Sequence, residues 1–184
     1  MVAAHSELER FALSIYGADG VSAACLLLQA RADLDVNLVL FAAFVGARGG
    51  ALTPSQVSSA GSRIDEWNTE VVRPLRAVRQ RLKSGPSPAP DERTAALRSA
   101  IQKLEIEAEL IELAELGALG ETLDTEPVPS GTAARAAAAA AAAAISVVLR
   151  AKTGRLPDVN ESDAIAAIAD AAAAFDDDTT QVGR

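Results

Sequence analysis

Asp35-Val-Asn-Leu-Val-Leu-Phe-Ala-Ala-Phe-Val-Gly-Ala47 is the stretch that decides the fold. Beyond Asn37 it carries no polar side chain on any face. A helix that is apolar all round is buried on all sides, so Val36 to Ala47 is predicted as a central helix enclosed by others. Asp35 reads as its N-cap, with Asn37 in the first turn bonding nearby backbone. A sharper reading puts Asn37 in the interior, bonded to a partner across the bundle. A buried carboxamide without partners costs about 1–3 kcal/mol, so it would be kept only for specificity or for a ligand. Arg48, at the far end, is expected to cap the last carbonyls of this helix before Gly49-Gly50.

The flanking segments supply the enclosing helices. Ser6-Glu-Leu-Glu9 is a capping box, followed by Leu8, Phe11, Ala12 and Ile15 at helical spacing. Val21 to Ala32 reads as a second helix. Thr53-Pro54 begins a short helix to about Ala60. Ser62 to Lys83 is predicted as one longer helix kinked at Pro74, which lacks an amide hydrogen and crowds the carbonyl of Glu70. Three prolines in Ser84 to Pro90 make a linker. Asp91 caps a helix over Glu92 to Leu116, with Leu97, Ile101, Leu104, Ala108 and Ile111 as one apolar seam and Ile106, Leu110 and Leu113 as another. A loop from Gly117 to Gly131, an Ala-rich helix from Thr132 to Lys152 and a last helix from Ser162 to about Phe175 complete the chain. The acidic Asp176-Asp-Asp178 opposes the macrodipole and is expected to fray. No segment alternates with period two. The expectation is an all-α bundle of about six to seven helices, with a core domain over 1–116 and Ala-rich helices over 117–184 packing on it.

Composition narrows function. In 184 residues there are 41 alanines and only 3% aromatic residues, so small side chains must do much of the packing. The formal charge is −8, which disfavours a general nucleic-acid binder. One histidine and one cysteine cannot build a Cys/His zinc site within one chain. No phosphate loop, nucleophile elbow or Glu-x-x-His pair is present, and neither a cofactor nor a metal is expected. Glu105, Glu109 and Glu112 share a helix face that reads as solvated. The longest uncharged apolar run, Ala136 to Leu149, is too short to span a bilayer, so no membrane association is expected and the setting is read as cytoplasmic. Cys25 reads as a small buried hydrophobe.

Charge is unevenly spread. Residues 1–90 carry nine basic and eight acidic side chains; residues 91–184 carry eight and 17. Arg73, Arg76, Gln80 and Lys83 form one helical stripe. The simplest reading pairs this helix with the glutamates of the next one. The functional reading offers the stripe to an anionic ligand or an acidic partner, since arginine's fork suits carboxylates. Trp67 is expected to be a core anchor, and Tyr16 a boundary residue.

Phe11-Ala-Leu-Ser-Ile-Tyr16, Gly20-Val-Ser-Ala-Ala-Cys-Leu26, Leu34-Asp-Val-Asn-Leu38, Trp67-Asn-Thr-Glu-Val-Val-Arg-Pro-Leu75 and Arg79-Gln-Arg-Leu-Lys83 together, in this order and spacing, resemble the bacterial domain-of-unknown-function family numbered 2390. The resemblance runs from about Glu7 to Leu116. Members of that family usually have a tryptophan shortly after the Asp-Val-Asn segment, where this chain has Phe44 or a neighbour. The resemblance implies a helical fold, a small cytoplasmic protein and candidate positions; it implies no chemistry.

The function expected from the sequence is that of a helical interaction or accessory protein. Its basic helix face would bind an acidic protein partner, or the chain would associate with its own second copy. The competing expectation is a binder of a small anionic ligand, or an enzyme, using Asp35, Asn37 and Arg73 or Arg76 in a pocket roofed by Trp67. A nucleic-acid-associated regulator is the third. The candidate binding residues are Asp35, Asn37, Arg48, Trp67, Arg73, Arg76 and Lys83. A closed pocket joining Asp35, Asn37 and an arginine would favour the ligand reading.

Overall fold

The computed structural model describes residues 6–123 and 133–175. His5, Pro127, Pro129 and the acidic run at 176–178 lie outside the described residues. Within them the fold is all-α: α1 Glu7–Tyr16, α2 Val21–Ala32, α3 Val36–Ala47, α4 Pro54–Trp67, α5 Arg73–Arg81, α6 Glu92–Gly120, α7 Ala133–Thr153 and α8 Val159–Ala173. A π-helical turn, Asn68–Val72, joins α4 to α5, so these three segments form one rod.

Side-chain caps start most of these helices. Ser6 and Glu9, Thr53 and Gln56, Asp91 and Thr94, and Asp158 and Glu161 close reciprocal capping boxes. Each satisfies amide hydrogens that a helix start leaves unbonded. The Asp158–Glu161 box moves the start of α8 upstream of Ser162, where the sequence put it. Gly61 does not interrupt α4. Likewise Gly117 does not end α6, which runs on to Gly120 while Gly117 packs against Leu8. Pro74 is accommodated by the preceding π turn, in which the Arg73 amide bonds to the Asn68 carbonyl. The irregularity therefore precedes the proline, and its extra residue turns Asn68 and Val72 inward, where both are buried.

As its composition demands, α3 is central, touching α1, α2, α4, α6, α7 and α8. Its closest neighbour is α7. A β-carbon on Gly46 would lie 2.5 Å from the Ala141 Cα, so the two backbones approach as closely as glycine and alanine allow. This explains the alanine tract: Ala137, Ala141, Ala144, Ile145, Val148 and Leu149 form the buried side of α7. By length and composition Ala134–Thr153 would suffice to cross a membrane; here it packs between α3 and α8. Phe11 meets Phe44 and Phe175 edge-on, each at 5.2 Å between ring centres.

The face that α6 buries is only partly the expected one: Ala108 and Leu113 of the two seams are buried. Leu97, Leu104 and Ile111 are each about half exposed. The buried stripe is Glu105, Ala108, Glu112 and Leu116, at i, i+3, i+7 and i+11. Two of its four residues are carboxylates, which contradicts the solvated acidic face read from the sequence. Two things hold the carboxylates there: the guanidinium groups of α5 and an amide of α3.

Candidate functional site

A cleft of about 350 Å³ opens between α1, α2, the start of α3, α5 and α6. Its rim carries the half-exposed Leu13, Leu26 and Ile106 together with the exposed Tyr16, Gln80 and Gln102. Its floor is polar and carries Asp35, Asn37, Asn68 and Glu112. Asp35 caps α3 by accepting the Leu38 amide hydrogen on Oδ1 at 3.1 Å. Its other oxygen accepts from Asn68 Nδ2 at 2.9 Å. Asn37 takes the interior position. Its Nδ2 donates to Glu112 Oε2 at 2.6 Å and, at 3.3 Å, to the Glu109 carbonyl.

Glu112 is 1% exposed; its Oε1 makes no well-formed hydrogen bond, although the Asn68 amide lies close enough to favour its charge. Burial first, and the charge of Asp35 next, push its carboxyl up to about 7. Burial likewise raises the carboxyls of Asp35 and Glu109. Glu105 differs. Burial opposes its charge, but hydrogen bonds from Arg79 and Arg76 outweigh burial and hold the carboxyl below its ordinary value.

The arginine stripe is largely committed. Arg76 donates from Nε to Glu105 at 2.9 Å and from Nη2 to Glu109. Arg79 holds the same Glu105 through Nε and, at 3.1 Å, Nη2. These pairs join α5 to α6, the arrangement expected of a charged hairpin. Arg73 donates Nε to Asn68 Oδ1 at 2.8 Å. It faces a second cleft of about 300 Å³, which also contains Asp35 and Asn68. The Asp35–Asn68 pair therefore stands between the two clefts. Lys83 is exposed and lines neither.

Two further expectations change. Trp67 is no core anchor and roofs no pocket. It is 37% exposed, with Nε1 donating to the Ala108 carbonyl at 3.1 Å, so it fastens α4 to α6 from outside. The Arg48 side chain does not cap α3; it pairs with Glu7 of α1 and lies 5.1 Å from the centre of the Phe44 ring. Only its backbone amide closes α3, on the Phe44 carbonyl. Cys25 is buried, and burial pushes its thiol up to about 12, so it stays protonated and unreactive.

Sequence reasoning placed Glu105, Glu109 and Glu112 on one face but read that face as solvated, and it missed Asn68. A signal existed for two: Glu105 and Glu112 fall on the same stripe as Ala108 and Leu116. None existed for Asn68, which becomes an inward residue only because the π turn shifts the helical phase. Among the described residues, no three His, Cys, Asp or Glu side chains converge closely enough to hold a metal ion.

No match was found among curated proteins or among solved structures. A family model does match, over residues 7–116, a span that includes every element lining the first cleft. It is the model described as a protein of unknown function, DUF2390, and the chain belongs to that family.

Proposed function

We propose that this chain is a small-molecule-binding protein of the cytoplasm, with its ligand in the cleft above Glu112. The observation that carries this reading is the orphaned Glu112 Oε1 at the floor of a cleft that also joins Asp35, Asn37 and Arg76. A buried polar atom without a partner costs about 1–3 kcal/mol and calls for a reason. The cleft volume falls at the small end of ligand pockets, about 300–1,000 Å³, and its lining combines apolar side chains with a few convergent polar groups, as theirs does. Commitment of Arg76 and Arg79 to α6 weakens the case for an acidic partner at that surface.

Native mass spectrometry tests this. The full chain, incubated with a small-molecule extract of bacterial cells, should carry a discrete adduct. Ile106→Trp, which fills the cleft mouth from a half-exposed position, should lose it without loss of helix content. An adduct that survives in this variant, or none in the wild type, rejects the reading.

A second reading, self-association, has its own support. Leu97, Leu104 and Ile111 leave an apolar strip on α6, seven residues apart and uncovered. The occupant that fits is α6 of a second copy, running antiparallel. Leu97 then meets Ile111, and Lys103 comes near Glu107, whereas a parallel pair would set like charges together. Sedimentation should show a dimer that Leu104→Glu dissociates; a monomer at every concentration rejects it.

A further inference from the structure

The geometry points to an organic monocation with N–H donors and an apolar tail, an alkylammonium or alkylguanidinium, as the class of ligand that the cleft takes. This rests on the ligand-binding reading above and adds the sign of the ligand's charge and its orientation.

The amide and guanidinium groups around Glu112 are each engaged at least once, and Asn68 also leans on Glu112 itself. Both contacts of Asn37 Nδ2 are with α6, on Glu112 Oε2 and the Glu109 carbonyl. Asn68 Nδ2 is held by Asp35. Arg76 and Arg79 are held by Glu105 and Glu109. What is left over is acceptor capacity, above all Glu112 Oε1. A ligand group that satisfies the ionised Glu112 must donate.

Charge gives the same sign. Four carboxyl groups, Asp35, Glu105, Glu109 and Glu112, line the cleft against two guanidinium groups, Arg76 and Arg79. An anion would add to an existing surplus of negative charge, and the arginines could receive it only by releasing glutamates that would then stay buried and unpaired. A cation relieves the surplus. No metal-binding cluster is present among the described residues, which favours an organic cation. The tail follows from depth. Glu112 is buried, while Leu13, Leu26 and Ile106 at the mouth are each about half exposed. A head group on Glu112 thus leaves an alkyl chain along those side chains.

Binding should displace a proton. Glu112 faces Asp35 from α3 and Glu109 from its own helix, with Arg76 and Arg79 of α5 and Glu105 beyond, and its carboxyl sits near 7. At pH 7 about half the molecules hold that proton, and a cation seated on Oε1 sends it to the buffer.

Calorimetry on the full chain at fixed ionic strength, with butylammonium, butylguanidinium, butyrate and butanol as probes, tests the proposal. Either cation should bind, with a heat that varies with the buffer's ionisation enthalpy as release of about half a proton at pH 7 requires. Glu112→Gln, which keeps the shape and an acceptor for Asn37, should weaken the cations about tenfold or more and abolish the buffer dependence. Butyrate should not bind. Should butyrate or butanol bind while the cations do not, and Ile106→Trp block them, the cleft is a ligand site and the charge assignment is overturned. Cation binding unchanged in Glu112→Gln overturns it as well, as does binding of no probe.

Discussion

Asn37 Nδ2 lies 2.6 Å from Glu112 Oε2, across 75 residues of sequence. This one contact ties the first turn of the central helix to the middle of α6. It also decides between the two readings of Asn37. A residue two positions past a helix cap would ordinarily serve its own backbone, and here it serves another helix.

Replacing Asn37 by Leu should therefore destabilise the fold. Glu112 would lose its short hydrogen bond, and a buried carboxylate would be left with less to hold it. The expected cost is about 1–3 kcal/mol by urea denaturation. Adding Glu112→Leu should restore much of it, because an apolar pair replaces a polar one.

Glu112→Gln should stabilise the unliganded protein, and more so as pH rises. The folded carboxyl sits at about 7, above its ordinary 4.5. Below 4.5 it is protonated in both states and costs nothing electrostatically. As pH climbs from 4.5 to 7 the unfolded chain ionises first, so the wild type loses stability, and above 7 the loss is constant. An upper bound is about 3 kcal/mol. Denaturation midpoints of the two proteins at pH 4.5 and 8 should diverge accordingly; parallel profiles would mean that Glu112 titrates normally.

Arg76→Glu with Arg79→Glu should loosen α5 from α6. It removes three guanidinium–carboxylate contacts with Glu105 and Glu109 and sets like charges against each other. The loss should be about 3 kcal/mol or more, since a largely buried carboxylate is left unpaired. The Glu105 contribution is present above its ordinary 4.5 and lost as pH falls below it, because its folded carboxyl is held low. Urea melts and the acid limb of the stability profile would record both. A double variant as stable as the wild type would free the arginine face for an outside partner.

Gly46→Ala should be among the costliest small changes in the chain. The added methyl would meet the Ala141 backbone at 2.5 Å, where no side chain can turn away. Displacing α7 from α3 should cost about 1–3 kcal/mol, lowering Tm by several degrees.

Glu161→Gln should weaken the start of α8. Glu161 is fully buried, closes the capping box with Asp158 and accepts two hydrogen bonds from Arg155 at 2.6 Å. Arg155 holds its carboxyl down to about 2. The contribution is full above 4.5 and fades as pH falls from 4.5 to 2. Glutamine can still close the box, as Gln56 does with Thr53, so the loss is that of the charged pair with Arg155: the melting temperature should fall at neutral pH and hardly change in acid, as thermal melts would show.

Most of the helices, and the central place of α3, can be read from the residues alone. Local chemistry writes those features: Ser6, Thr53, Asp35 and Asp91 cap because their side chains reach amides three residues on, and a helix apolar on all sides has nowhere to lie but inside. The charged hairpin was legible too, because Arg76 and Arg79 face a glutamate-rich helix across a short linker. Tertiary structure alone decided which face α6 buries. Periodicity favoured Leu97, Leu104 and Ile111, yet Glu105 and Glu112 went inside, because arginines and an asparagine on other helices compensate their burial. It also decided Asn68, whose inward turn depends on one extra residue in a helical turn ahead of Pro74. Helix starts depend on neighbours in sequence, whereas burying a carboxylate depends on partners that only the folded chain brings within reach.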